Sequence, residues 1–217
     1  MPTTDRLHAV PVLALALLAS GCAITAPVPP ARHGAALVRP ACPVMTTIGL
    51  SAAQETSARA ALTQVCAIMA SDAFAKKIAA GEWSPACPGF FFGRQPRTPA
   101  ADVLHALTTE TPAFTLQIGT FRNGKVTAVT RAGDRSITII ASRLNNAAAA
   151  NGAARAALVN TLGHEMTHLI PDPATPTASR FRDRGQSMPW CKGALLISYG
   201  VGDIYEQLWR DGGMVWE

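Results

Sequence analysis

The chain reads as an α+β domain: a small, mostly antiparallel sheet packed on a helix that carries two histidines, with further helices and disulfides around it. Three observations lead there. Residues 114–140 alternate apolar and polar side chains between turn signals, the period of half-buried strands. The stretches 52–69, 153–170 and 193–210 are proline-free and long enough for helices. Five cysteines without a C-x-x-C pair suit covalent bridges better than a thiolate metal site. Hydrophobic residues make up 48% and charged ones 15%, so the chain has the material for a core and is not expected to be globally disordered.

The N-terminus comes first. Ala9 to Ala19 is almost wholly apolar, yet shorter than the roughly 20 residues that span a bilayer, and it matches the h-region of a secretory signal. Ser20-Gly21 directly before Cys22 resembles the lipobox of bacterial lipoproteins. That resemblance implies a signal peptide over 1–21 and lipidation of Cys22. It implies export to the bacterial envelope, facing the periplasm or the cell surface, with the membrane as a partner through the lipid. Residues 22–44, rich in Pro and Ala from Thr25 to Pro43, read as an extended tether. Residues 45–217 have the size of a single domain. With Cys22 set aside, Cys42, Cys66, Cys87 and Cys191 form an even set in an exported chain, which points to two disulfides with three connectivities open.

Within the domain, Ser51 and Gln54 make a capping box for a helix over 52–69, and Ser71-Asp72 starts a second one ending near Gly81. Residues 83–99 are turn-rich around Gly89-Phe90-Phe91-Phe92-Gly93, an aromatic run that reads as a plug packed under the loop near Cys87 or, alternatively, as a substrate-facing patch. Thr98-Pro99 then reads as the N-cap and first turn of a helix to Thr108. Phe114–Ile118 and Lys125–Thr130 flank Asn123-Gly124, which signals a hairpin; after Gly133-Asp134, Ser136–Ile140 makes a third strand. Asn145 to Gly152 reads as a loop or frayed helix start. A helix from about 153 to 170 follows, stopped by Pro171-Asp172-Pro173.

That helix carries His164-Glu165-Met166-Thr167-His168. Residues four apart share a helix face one turn apart, so both imidazoles reach one metal ion while Glu165 lies close enough to serve as a base. The stretch Thr161-Leu162-Gly163-His164-Glu165-Met166-Thr167-His168-Leu169-Ile170 resembles the extended signature of the zincin metallopeptidases, a likeness that extends over about residues 110–217 at most. The resemblance implies a zincin-like fold, Zn2+ as cofactor on His164 and His168, and Glu165 as general base. It also implies a peptide or protein substrate, paired with the edge of the strand near residues 136–141.

A catalytic zinc takes three protein ligands and a water. No histidine follows His168, so the third ligand must be a carboxylate. Glu206 is the first candidate, on a second apolar face of the 193–210 helix with Leu195, Tyr199, Gly202 and Trp209; Asp183, flanked by arginines, is the second. Asp172 reads as a helix-stop residue, and Asp203 as a hydrogen-bond partner for a histidine ring. Tyr199 or Tyr205 is a candidate oxyanion donor. The charge of +5 is spread through Arg94, Arg97, Arg122, Lys125, Arg131, Arg135 and Arg143, not clustered with aromatics, so nucleic acid is not an expected partner. The sequence thus reads as an envelope-anchored zinc metalloprotease-like hydrolase. The alternative is a non-catalytic zincin-fold lipoprotein acting as a binding module.

Overall fold

A computed structural model describes residues 41–87, 97–149, 151–183, 190–191, 194–212 and 216. The signal segment, Cys22, the tether up to residue 40 and the Gly89–Gly93 run lie outside the described residues, as does the side chain of Cys191.

Strand β1 (Met45–Ile48) leads into α1 (Ala52–Met69). The expected capping box starts α1: the Gln54 N–H donates to Ser51 Oγ at 3.3 Å, and the Ser51 N–H donates to Gln54 Oε1 at 2.8 Å. Ser71 caps α2 (Asp72–Ala80) in turn, accepting from the Phe74 N–H at 3.1 Å. After β2 (Trp83–Ser84) comes α3 (Ala100–Thr109), with Pro99 rather than Thr98 at the N-cap, because Thr98 bridges back to Trp83. Then follow β3 (Phe114–Ile118), β4 (Ala128–Arg131), β5 (Ser136–Ile139), α4 (Ala141–Ala148) and α5 (Gly152–Leu169). A β6 (Pro171–Asp172) and β7 (Thr175–Ser179) hairpin, β8 (Trp190–Cys191), β9 (Ala194–Leu196) and α6 (Ile197–Asp211) complete the order.

The class is α+β, but the main sheet departs from the expected one. Its order is β1-β3-β5-β4, with β1–β3 and β3–β5 parallel and only β4–β5 antiparallel, so it is mixed and not mostly antiparallel. The hairpin expected about Asn123-Gly124 does not form. A turn is there, with the Val126 N–H donating to the Asn123 carbonyl at 3.0 Å, but β3 takes β5 as its neighbour. The chain passes over one strand position, runs back as β4 and turns through 132–135 into the position between. Burial explains the order. Ile137 and Ile139 of β5 are fully covered, which suits an interior strand, whereas Val129 of β4 is 40% exposed. The free edge near α5 is therefore β4, not the strand at 136–141.

Residues 141–148, expected in part as loop, form α4 because Leu144 and Ala147, three apart, are both buried in the core. The core joins Val65 and Ile68 of α1, Leu116, Ile137 and Ile139 of the sheet, Leu158, Leu162 and Met166 of α5, and Tyr205 of α6. Helices α5 and α6 pack closely on each other. The contact needs glycine at 163, since a Cβ there would run into the Tyr205 ring; at 202 a Cβ would lie 3.0 Å from Asn160 Oδ1 and 3.1 Å from His164 Cβ, tight enough that these neighbours would have to give slightly.

A disulfide joins Cys42 to Cys66, with Cα atoms 5.4 Å apart, and ties the entry of β1 to α1. Cys87 is disulfide-bonded as well. Among the described residues, no helix is long and apolar enough to cross a membrane.

Candidate metal centre

Helix α5 starts at Asn151, whose Oδ1 accepts from the Ala153 and Ala154 N–H groups at 2.9 and 3.3 Å. It runs without a break to Leu169, so the histidines keep their one-turn spacing. Their Nε2 atoms come within 3.3 Å of each other. Asp183 Oδ2 lies 3.0 Å from His164 Nε2 and 3.1 Å from His168 Nε2. All three side chains are about 15% exposed.

The segment after α5 delivers Asp183. The β6–β7 hairpin turns the chain back, and three anchors then hold it. The Arg180 N–H donates to the Ile170 carbonyl at 2.9 Å, the Arg182 N–H donates to the Pro85 carbonyl at 2.8 Å, and Phe181 is buried in the core. Arg180 Nη1 also pairs with both Glu110 oxygens at 3.2 Å. The Phe181 carbonyl, fixed this way, lies 2.7 Å from His168 Nδ1. A carbonyl can only accept, so His168 carries a proton on Nδ1, which sets the ring with Nε2 toward Asp183.

The electrostatics of the site are consistent with this geometry. Burial pushes Asp183 upward, but the hydrogen bonds from His164 and His168 outweigh it and hold the carboxyl well below the usual carboxylate range. Burial pulls His168 downward, yet the hydrogen bond and charge of Asp183 leave it raised. Two imidazole nitrogens and one carboxylate oxygen thus converge on one point. Such lone pairs repel unless a proton or a cation lies among them. The three ligand atoms all lie within 4.8 Å of one another, and the group can hold a metal ion. Donors of this kind, two imidazoles and a carboxylate, fit a divalent transition metal with a position left open.

Glu165 is not one of the three converging groups, but it lies close enough for its charge to act on His168 and Tyr199. It is 6% exposed and faces β4, where the Thr130 hydroxyl donates to Glu165 Oε2 at 2.7 Å and stands 3.0 Å from the Glu165 backbone carbonyl. Tyr199 sets its ring edge-on to His164, with centroids 4.7 Å apart. Burial, with the charges of Asp183 and Glu165, raises the Tyr199 hydroxyl above its ordinary value.

The other carboxylates lie away from this point. Glu206, the first candidate for the third ligand, pairs with Arg210 at 2.6 Å and accepts from Asn160 Nδ2 at 2.9 Å. The order of contacts along the two helices explains why. Tyr199 and Gly202 of α6 meet His164 of α5, so Glu206, one turn further along α6, falls beside Asn160, one turn before His164. Asp203 also accepts from Asn160, at 3.2 Å, and its charge interacts with that of His164, while the ring N–H of His168 faces the Phe181 carbonyl. Asp172 accepts from the Ala174 and Thr175 N–H groups and stands 3.6 Å from Arg182. Arg182 therefore turns to Asp172, leaving Asp183 to the histidines. Tyr205 is a core residue, stacked on Phe74 at 4.9 Å, and burial pushes its hydroxyl far up.

Sequence reasoning missed two hydroxyls, Thr130 on Glu165 and Ser198 on Asp183. Neither follows from periodicity, because each meets its carboxylate across a tertiary contact. Compared with protein-family models, curated proteins and solved structures, the chain matches none.

Proposed function

We propose that this chain is a zinc-dependent metallopeptidase of the zincin type, with His164, His168 and Asp183 as ligands and Glu165 as general base. One observation carries the reading: two helix-borne imidazoles and a carboxylate converge within 3.0–3.3 Å, beside a glutamate fixed by a hydroxyl. The same donors suit iron(II). The glutamate next to them favours hydrolysis, because hydrolysis needs a base for water where oxygen chemistry does not.

Zinc, when bound, supplies a Lewis acid that polarises the scissile carbonyl and acidifies water. The chain's own groups do the rest. Glu165 takes a proton from the attacking water and returns it to the leaving amine, while Thr130 keeps its carboxylate from swinging away. Tyr199, on the His164 side, donates to the developing oxyanion. The edge of β4, unpaired among the described residues, offers backbone groups to an extended peptide, which binds without close reading of its sequence. Export and lipid anchoring at Cys22 belong to the same proposal. The Cys42–Cys66 bridge supports export, because such bonds persist in oxidising compartments.

The test is a Glu165→Gln variant assayed on a casein or mixed-peptide substrate alongside elemental analysis. Unchanged zinc with cleavage reduced about 10²–10⁴-fold is expected. Undiminished cleavage would exclude Glu165 as the base, and wild-type protein with zinc but no hydrolysis of any peptide would favour a binding module.

A further inference from the structure

Resting on that reading, we propose that Ser198 is a positioning residue that presents Asp183 to the metal through one oxygen. Ser198 sits in the first turn of α6 and is 1% exposed. Its hydroxyl donates to Asp183 Oδ1, while Asp183 Oδ2 faces the two histidines at 3.0 and 3.1 Å. The two carboxylate oxygens are thus divided between a fixed donor and the convergence point.

A buried hydroxyl in a helix ordinarily returns to a carbonyl one turn back. Thr161 on α5 does so, donating to the Ala157 carbonyl at 2.8 Å. Ser198 reaches instead across to a loop carboxylate. The hydroxyl is held firmly, since Leu196 and Ile197 before it are both buried and Tyr199 after it packs on His164. A carboxylate held by one oxygen offers the other singly, which suits a site that must keep a coordination position for water. Without the hydroxyl, Asp183 Oδ1 loses its donor in a mostly buried place and the carboxylate is free to rotate.

The experiment is a zinc titration of the full-length chain against a chromophoric chelator, for wild type, Ser198→Ala, Ser198→Thr, Asp183→Ala and the Asp183→Ala/Ser198→Ala double variant. Far-UV circular dichroism checks that each is folded. Ser198→Ala is expected to weaken zinc about 10–100-fold. Ser198→Thr, which keeps the hydroxyl, is expected to recover most of that loss. In the Asp183→Ala background the serine change is expected to have no further effect, because Ser198 acts only through Asp183. Wild-type affinity in Ser198→Ala, or the same fold loss in both backgrounds, overturns the role while leaving the metal site standing. A wild-type chain that takes up no zinc overturns both.

Discussion

The segment from Pro171 to Asp183 and the helix α6 each offer a carboxylate to the histidine pair, and only the irregular one delivers it. Helix α6 has the more persuasive sequence. Its Tyr199, Gly202 and Glu206 fall on one stripe, and that stripe does lie against α5, with Gly202 next to His164. The loop has little to recommend it, since Asp183 stands between two arginines that look like its natural partners. Yet the helix places its glutamate one turn from the histidines, and the hairpin brings its aspartate to them. Helical periodicity reports which face a residue occupies but not how high it sits along the neighbouring helix. That height is set by where glycines allow close approach.

This contrast is open to direct attack. The largest effect is expected at the ligand itself: Asp183→Ala is expected to weaken zinc by about 100-fold or more, beyond the 10–100-fold typical of groups that only support a ligand, measured by chelator competition. A change of less than about threefold would mean that the loop is not what completes the site. Next is the packing that sets the helix height. Gly163→Ala places a methyl against the Tyr205 ring, and a destabilisation of about 1–3 kcal/mol is expected in urea unfolding, less up to about 1 kcal/mol returned by helix propensity. A net gain of stability there would contradict the tight α5–α6 contact.

A smaller effect is expected at the anchor of the loop. Glu110→Gln removes the partly exposed pair with Arg180, for a stability change of about 0.2–1 kcal/mol and only a few-fold loss of zinc affinity, because the Phe181 and backbone anchors remain. Smallest of all is Glu206→Gln, which keeps the Asn160 contact and is expected to leave zinc affinity within about twofold.

Legibility in the sequence followed the range of the interaction that decides each feature. The capping box at Ser51, the strands at 114–118 and 136–139 and the helix over 152–169 were readable, because neighbours within a few residues determine them. That His164 and His168 share one helix face was readable for the same reason, as one helical turn separates them. Strand order was not, because the choice between a β3–β4 hairpin and a β3–β5 pair depends on which strand the helices cover. Asp183 was visible only as a second candidate. Its orientation comes from Phe181 entering the core, Arg182 meeting Pro85 and Arg180 meeting Glu110, none of which leaves a local trace.

The proposed metal site holds His164, His168 and Asp183 and leaves Glu206 outside. Elemental analysis of wild type, Asp183→Ala and Glu206→Ala after identical dialysis tests it most directly. One zinc per chain is expected in wild type and in Glu206→Ala, with most of it lost from Asp183→Ala. Full occupancy in Asp183→Ala together with loss in Glu206→Ala would contradict the assignment and return the third ligand to α6.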